Sequence, residues 1–163
     1  MEAPVLVQPV SHADRAVASQ IHAVQMSAYA QEATLLGASY FPPLERTVED
    51  IRSSLESFLA AYRDGELVGA LSYASDDEGL GTNIASLVVD PPWQRQGIGR
   101  QLLNAFLAIH PGDATVQTGA RNIPALALYA QRGFVEYRRW LVGREPLELV
   151  KLRRAAGGAG DAV

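Results

Sequence analysis

Leu87-Val88-Val89-Asp90-Pro91-Pro92-Trp93-Gln94-Arg95-Gln96-Gly97-Ile98-Gly99-Arg100 runs from an apolar strand through a proline-broken turn into a glycine-bearing helix start. Such a turn aims successive backbone N–H groups at one point, and the positive end of the helix dipole adds to them, so a phosphate would sit there. Gly97 and Gly99 let the backbone approach a ligand with no β-carbon in the way, and Arg95 and Arg100 bring charge to the same rim. The same letters also fit a glycine-eased strand-to-helix turn with solvated arginines. A dinucleotide fingerprint would need a third glycine where Leu102 stands, and a P-loop would need Gly-Lys-Ser/Thr; both fail. No Gly-x-Ser-x-Gly occurs, and His12, His22 and His110 lie in unrelated contexts, which removes the grounds for a serine hydrolase.

Outward from this segment the chain alternates strands and helices. Val5 to Val10 is valine-rich and suits a strand, and Ser11 or Asp14 can cap the helix that follows. Val17, Ile21, Val24 and Ala28 share one helical face, giving a helix from about Asp14 to Gln31. Gly37 and Pro42-Pro43 make Glu32 to Leu44 a loop, and Thr47 with Asp50 opens a short helix toward Leu55. Phe58 to Arg63 and Leu67 to Ala74 flank Asp64-Gly65, a pair that tolerates a tight hairpin turn.

Ile84 to Val89 is apolar enough to predict a central strand buried on both faces. Ile98, Leu102, Phe106 and Ile109 mark a helix ended by Pro111-Gly112, with His110 expected on its terminal carbonyls. Ala114 to Thr118 is a strand, Pro124 to Arg132 a helix stopped by Gly133, and Phe134 to Val142 with Leu147 to Leu152 a closing antiparallel pair. The result is mixed α/β, with a mostly antiparallel central sheet of about seven strands and about four helices. One domain covers residues 1–154, and the small, glycine-rich residues 155–163 form a disordered tail.

Composition narrows the function. At 163 residues, 48% hydrophobic and 20% charged, the chain can bury a core of its own. It has no cysteine, which excludes disulfides, thiolate metal sites and a cysteine nucleophile. With 14 basic against 18 acidic residues its net charge is −4, the wrong sign for nucleic acid. The apolar runs are too short to span a membrane, and Glu2 stands where a signal peptide would be basic, so a soluble cytoplasmic protein is expected.

At Gln94-Arg95-Gln96-Gly97-Ile98-Gly99 the chain resembles the Gln/Arg-x-x-Gly-x-Gly/Ala signature of the GNAT N-acetyltransferase superfamily, after a similar Leu-x-Val-x-Pro strand end. Downstream, Asn122-Ile123-Pro124-Ala125 followed by Tyr129 and Gly133-Phe134 resembles that family's second cofactor segment. The likeness extends over about residues 3–153, and residues 11–57 share only the helical character of the variable acceptor region. It implies the GNAT-like acyltransferase fold with acetyl-CoA as acetyl donor and no metal. Backbone groups of Leu87 and Val89 would pair with the pantetheine arm, and amides from Gln94 through Arg95, Gln96, Gly97, Ile98 and Gly99 to Arg100 would take the pyrophosphate. Asn122 and Ala125 would hold the cofactor from the next strand's end, and Tyr129 would point its hydroxyl at the sulfur. Many members carry glycine where Arg95 stands and a basic residue where Gln131 stands; Arg121 or Arg132 could substitute for the latter.

Acetyl transfer to an amine needs a neutral nucleophile, a donor for the carbonyl oxygen and a proton for the departing thiolate. The backbone N–H of Val88 or Val89 is the expected oxyanion donor and Tyr129 the expected acid, its alternative being a packed core-edge aromatic. Glu32, Asp76, Asp77, Glu78 and Glu148 each have ordinary surface explanations, so no base is assigned. Tyr29, Tyr40, Phe41 and Tyr73 are candidates to line the acceptor pocket. The expected activity is N-acetylation of a primary amine on a small molecule or peptide, without nucleic-acid or membrane partners. Exposed strand edges favour a homodimer. Two other readings compete: a non-catalytic acyl-CoA sensor or assembly subunit on the same fold, and an unrelated α/β module whose turn binds phosphate.

Overall fold

In the computed structural model, which describes residues 4–144 and 147–156, Asp64 and Gly65 take φ values of 52° and 78°. Such paired positive angles let a two-residue turn follow the twist of its strands. They join β2 (Ser57–Arg63) to β3 (Glu66–Ser75), the hairpin expected from the sequence. Around it lie β1 (Leu6–Val10), α1 (Arg15–Leu36), α2 (Val48–Arg52), β4 (Thr82–Val89), α3 (Ile98–Ile109), β5 (Ala114–Gly119), α4 (Ile123–Ala130), β6 (Val135–Val142) and β7 (Leu147–Arg154). The seven strands form one sheet in the order β1-β2-β3-β4-β5-β7-β6. All neighbours are antiparallel except β4 and β5. β4 is therefore central, as read from its apolar run.

Strand alternation sorts the core into two layers. Phe58 and Ala60 of β2 pack with Ile21, Val24 and Ile51 beneath α1 and α2, whereas Leu59 and Ala61 pack with Leu102, Leu103 and Phe106 beneath α3. Local signals set the helix ends. Asp14 Oδ1 accepts from Val17 N at 3.1 Å, and Thr47 and Asp50 form a reciprocal capping box at α2.

Three expectations are corrected. α1 continues past Gln31 to Leu36, because Ala33 and Leu36 extend its buried face and Gly37, at φ 67°, supplies the left-handed cap. Glu32 is therefore helical, and only a short 3-10 turn at Pro42–Glu45 interrupts the loop beyond. β4 is not buried on both faces: Ile84 and Val88 are, but Leu87 and Val89 remain partly open beside a cleft. His110 reaches the carbonyls of α3 only through its backbone, whose N–H donates to Phe106 O at 2.8 Å. It leaves the helix at φ −122°, ψ 79°, and its ring packs 4.6 Å from Tyr73 and 5.4 Å from Phe106, with Nε2 buried and unpartnered.

The tail expected at 155–163 lies outside the described residues beyond Ala156, whose N–H donates to Asp113 Oδ1 at 2.6 Å. Among the described residues, no helix is long and apolar enough to cross a membrane.

Candidate active site

The site begins where two parallel strands part. β4 pairs with β5 at Thr82, Asn83 and Ile84 only. Past Ile84, β5 stays with β7 and β4 stays with β3 as far as Val89. A wedge opens between them. Asp90 N donates to Val68 O at 2.9 Å, so its peptide faces β3. Alternation then turns the peptide of Val88 toward β3 and those of Leu87 and Val89 toward the wedge. The free sheet edge is thus made by two residues that the sequence singled out, with Val88 facing away.

At the tip of this edge the chain folds into the glycine-bearing loop. Gly97, at φ 82°, is the N-cap of α3, no side chain caps that helix, and a β-carbon added to Gly97 would point into open space. The first-turn amides of α3 are therefore presented toward the cleft with the helix dipole behind them. Arg95 sits at φ 64°, a conformation that glycine adopts without strain. Arg95 and Arg100 are exposed.

The loop is braced from behind. Arg63, buried on β2, hydrogen-bonds Gln96 Oε1 and lies 5.2 Å above the Trp93 ring. Gln94 Nε2 donates to Gln31 Oε1 at 2.7 Å and to Val89 O at 3.0 Å. The side chains of Gln94 and Gln96 thus hold the loop, leaving its amides as the ligand-facing groups. Sequence reading missed Arg63; its one signal was an arginine closing an otherwise apolar strand.

Two cavities meet at the wedge. One, of about 510 Å³, follows Leu87–Val89 and the loop from Trp93 to Gly99 between α1 and α4. The other, of about 320 Å³, lies among the end of α1, the middle of β4, the end of β5 and the ends of β6 and β7. Both are lined by Tyr29, Glu32, Leu87, Asn122, Ala125 and Tyr129. Asn122 caps α4, its Oδ1 accepting from Ala125 N at 3.3 Å. Tyr129 is 4% exposed, and its ring packs 5.5 Å from Phe134. No described residue hydrogen-bonds its hydroxyl. Burial pushes its phenol up, with the Glu32 charge adding to the effect. Tyr29 is pushed up to about 12 by burial, against the opposing pull of Arg46 and a hydrogen bond with Ser86.

The structure separates residues that the sequence left equal. Tyr29 and Phe41 line the smaller cavity, but Tyr40 is exposed and Tyr73 packs on Phe106 and His110 beneath α3. Arg132 donates to Asn104 Oδ1 at 2.6 Å, and neither it nor Arg121 lines either of these two cavities. Among the carboxylates, Asp76 and Glu78 bind Lys151, Glu148 binds Arg139, and the Asp77 side chain is 94% exposed. Glu32 alone of the five lines the cavities, and burial raises its carboxyl above the ordinary value.

The profile of the acetyltransferase (GNAT) family matches residues 24–134. The UPF0157 protein YqkA of Bacillus subtilis (strain 168) is 38% identical over 132 residues, which are 79% of this chain and 38% of that protein. The chain thus spans less than half the length of this curated relative. Among solved structures, the ribosomal-protein-S18-alanine N-acetyltransferase of Escherichia coli superposes with a TM-score of 0.73 at 16% identity, over 98% of this chain and 99% of that one. PaiA N-acetyltransferase of Thermoplasma acidophilum, solved in complex with coenzyme A, superposes at 0.72 with 14% identity, over 93% and 99%. At these identities the likeness is one of fold.

Proposed function

The chain belongs to the acetyltransferase (GNAT) family, and from that membership we propose that it is an acetyl-CoA-dependent N-acetyltransferase acting on a primary amine of a small molecule or peptide. The observation that carries this reading is the junction of the two cavities at a free strand edge, with Tyr129 buried beside it. The residues present fit the coenzyme: an unpaired backbone edge, an uncapped helix start and a glycine whose β-carbon would project into open space. Bound there, acetyl-CoA supplies an acyl thioester activated toward amines.

The protein's own part is positioning and charge stabilisation. Leu87 and Val89 offer backbone groups to the pantetheine arm as an edge strand does to an added strand. The carbonyl of Val89 accepts from Gln94 and keeps a second lone pair for the arm, and its N–H receives the charge that develops on the acyl carbonyl oxygen. Amides from Gln94 to Arg100 take the pyrophosphate, with Arg95 and Arg100 at the rim. Asn122 and Ala125 contact the coenzyme from the start of α4. Tyr129 is a phenol and so is protonated at neutral pH, and it donates to the sulfur as the thiolate forms; burial, which raises its pKa, favours keeping that proton until the thiolate is there to receive it.

The test has two parts. A melting scan at a hundredfold excess of acetyl-CoA over Kd should show about 2.7 kcal/mol of stabilisation. Thiol-release turnover on a panel of amines should then fall about 10²–10⁴-fold in Tyr129→Phe, with acetyl-CoA affinity unchanged. Unchanged turnover would remove Tyr129 from the reaction and leave it a packed aromatic.

A further inference from the structure

With the coenzyme along the larger cavity, the smaller one is left for the acceptor, and it has one charged wall. Among the described residues lining it, Glu32 is the sole ionisable group apart from the phenols of Tyr29 and Tyr129, and no lysine, arginine or histidine is present. The rest of the lining is uncharged: Leu36, Phe41, Pro42 and Pro43 form one apolar wall, and Ser86, Gln117 and Thr118 add neutral polar groups. Glu32 has no hydrogen bond or ion pair with any described residue, although the last turns of α1 hold it at the junction of both cavities. A carboxylate so placed lacks the cation that would offset its desolvation.

We infer that Glu32 binds the acceptor's ammonium and takes its proton, and that the acceptor is a small primary amine whose body is uncharged and apolar. The inference rests on the proposed acetyl transfer and gives the substrate class of that site. An ammonium beside Glu32 restores the missing ion pair at the place where the nitrogen must approach Leu87 and Tyr129. A second positive charge, as on a polyamine, would find no second carboxylate among the described lining residues. A carboxylate on the acceptor would meet Glu32 and find no cation among the described lining residues.

The proton balance closes with groups already placed. Glu32 removes one proton from the ammonium and releases it to water through the acceptor cavity. The freed lone pair forms the C–N bond, and the C–S bond breaks with its electrons on sulfur. The second nitrogen proton passes to Glu32 as the amide forms and returns through cavity water to the Tyr129 oxygen, which has given its own proton to sulfur, so the net release is one proton. The raised carboxyl of Glu32 brings its affinity for a proton closer to that of an amine. The titratable groups facing it are Tyr29 on its own helix and Tyr129 on α4, with Arg95 further along the larger cavity.

The experiment compares 2-phenylethylamine, L-phenylalanine and spermidine as acceptors for the full chain, and follows binding of 2-phenylethylamine and its uncharged analogue 2-phenylethanol by calorimetry. We expect kcat/KM for 2-phenylethylamine to exceed the other two by about 10²-fold, the order of discrimination that unpaired buried charges produce. Glu32→Gln should lower that kcat/KM by about 10²-fold or more and abolish its acidic limb. The same variant should weaken 2-phenylethylamine binding by about tenfold or more, leaving 2-phenylethanol and acetyl-CoA affinities within about twofold. Wild-type kinetics in Glu32→Gln, or a preference for spermidine or L-phenylalanine, would overturn the inference alone. No turnover of any of the three by a protein that binds acetyl-CoA would also overturn it. Failure of the wild type to bind acetyl-CoA would overturn the proposed function on which it rests.

Discussion

At the Thr82–Ile84 end β4 is flanked by both β3 and β5, and the loop before it is closed by a buried carboxylate. Asp76, 7% exposed, receives Lys151 Nζ at 2.8 Å, the Thr115 hydroxyl at 2.8 Å and the amides of Glu78 and Leu80 at 2.9 and 3.1 Å. Burial alone would raise its carboxyl, but these donors outweigh it and hold Asp76 at about 2. At the Leu87–Val89 end the strand has one neighbour, and the carboxylate nearby, Glu32, has no donor among the described residues and is raised by burial. The chemistry of the two side chains is nearly the same; what differs is whether their surroundings are complete. A carboxylate with its full set of donors belongs to the fold, and one left short of donors beside a cavity is poised for a ligand.

Breaking the closed end should produce the largest effect. Lys151→Met removes the ammonium and leaves Asp76 buried and charged, so urea unfolding should show a loss of about 3–5 kcal/mol. Adding Asp76→Asn should recover part of it, because the uncompensated charge is then gone. Retention of full stability by Lys151→Met would show that the network contributes nothing net.

Acid should separate the two ends with opposite signs. The folded-state pKa of Asp76 is depressed, so its stabilisation is present above its unfolded value and is lost as pH falls through that value toward about 2. This amounts to on the order of 2 kcal/mol. Glu32, whose folded pKa is raised, works the other way: its protonation favours the folded state as pH falls through its folded-state value. Denaturant midpoints measured from pH 7 to 2 should therefore fall steeply only in the acid range, and Asp76→Asn should flatten that fall.

The smallest effect belongs to the open end. Arg95 holds a left-handed conformation that glycine would adopt freely, so Arg95→Gly should raise stability by up to about 1 kcal/mol in the same unfolding measurement. Acetyl-CoA affinity should fall, more so at low salt than at high, because a guanidinium is lost from the phosphate rim.

Much of this contrast is legible in the sequence alone. Asp64-Gly65, the Thr47/Asp50 box and Gly133 are local signals, and a helix start after two glycines is an anion site whatever surrounds it. Glu32 was hidden because Gln31-Glu32-Ala33-Thr34 carries too little apolar pattern to extend a helix by periodicity; tertiary burial of Ala33 and Leu36 extends it. Lys151, the single lysine of the chain, was obscured by thirteen arginines and by its place in a strand. Its partners lie far away in sequence, and only the register of β7 beside β5 brings it to Asp76. Arg63 was obscured in the same way, since nothing in Phe58 to Arg63 announces a guanidinium turned inward.

That inward guanidinium bears on the thermodynamics of capture. Because Arg63 grips Gln96 and stacks on Trp93 in the folded protein, the loop meets its ligand with its backbone already fixed. A flexible phosphate loop would surrender roughly 1–2 kcal/mol of backbone entropy for each residue that it ordered on binding. Here that entropy is lost during folding, when β2 and the loop come together. Coenzyme capture is then a docking onto a rigid row of dipoles, without coupled folding, and its heat-capacity change reports the apolar surface that the ligand covers, with no contribution from the loop.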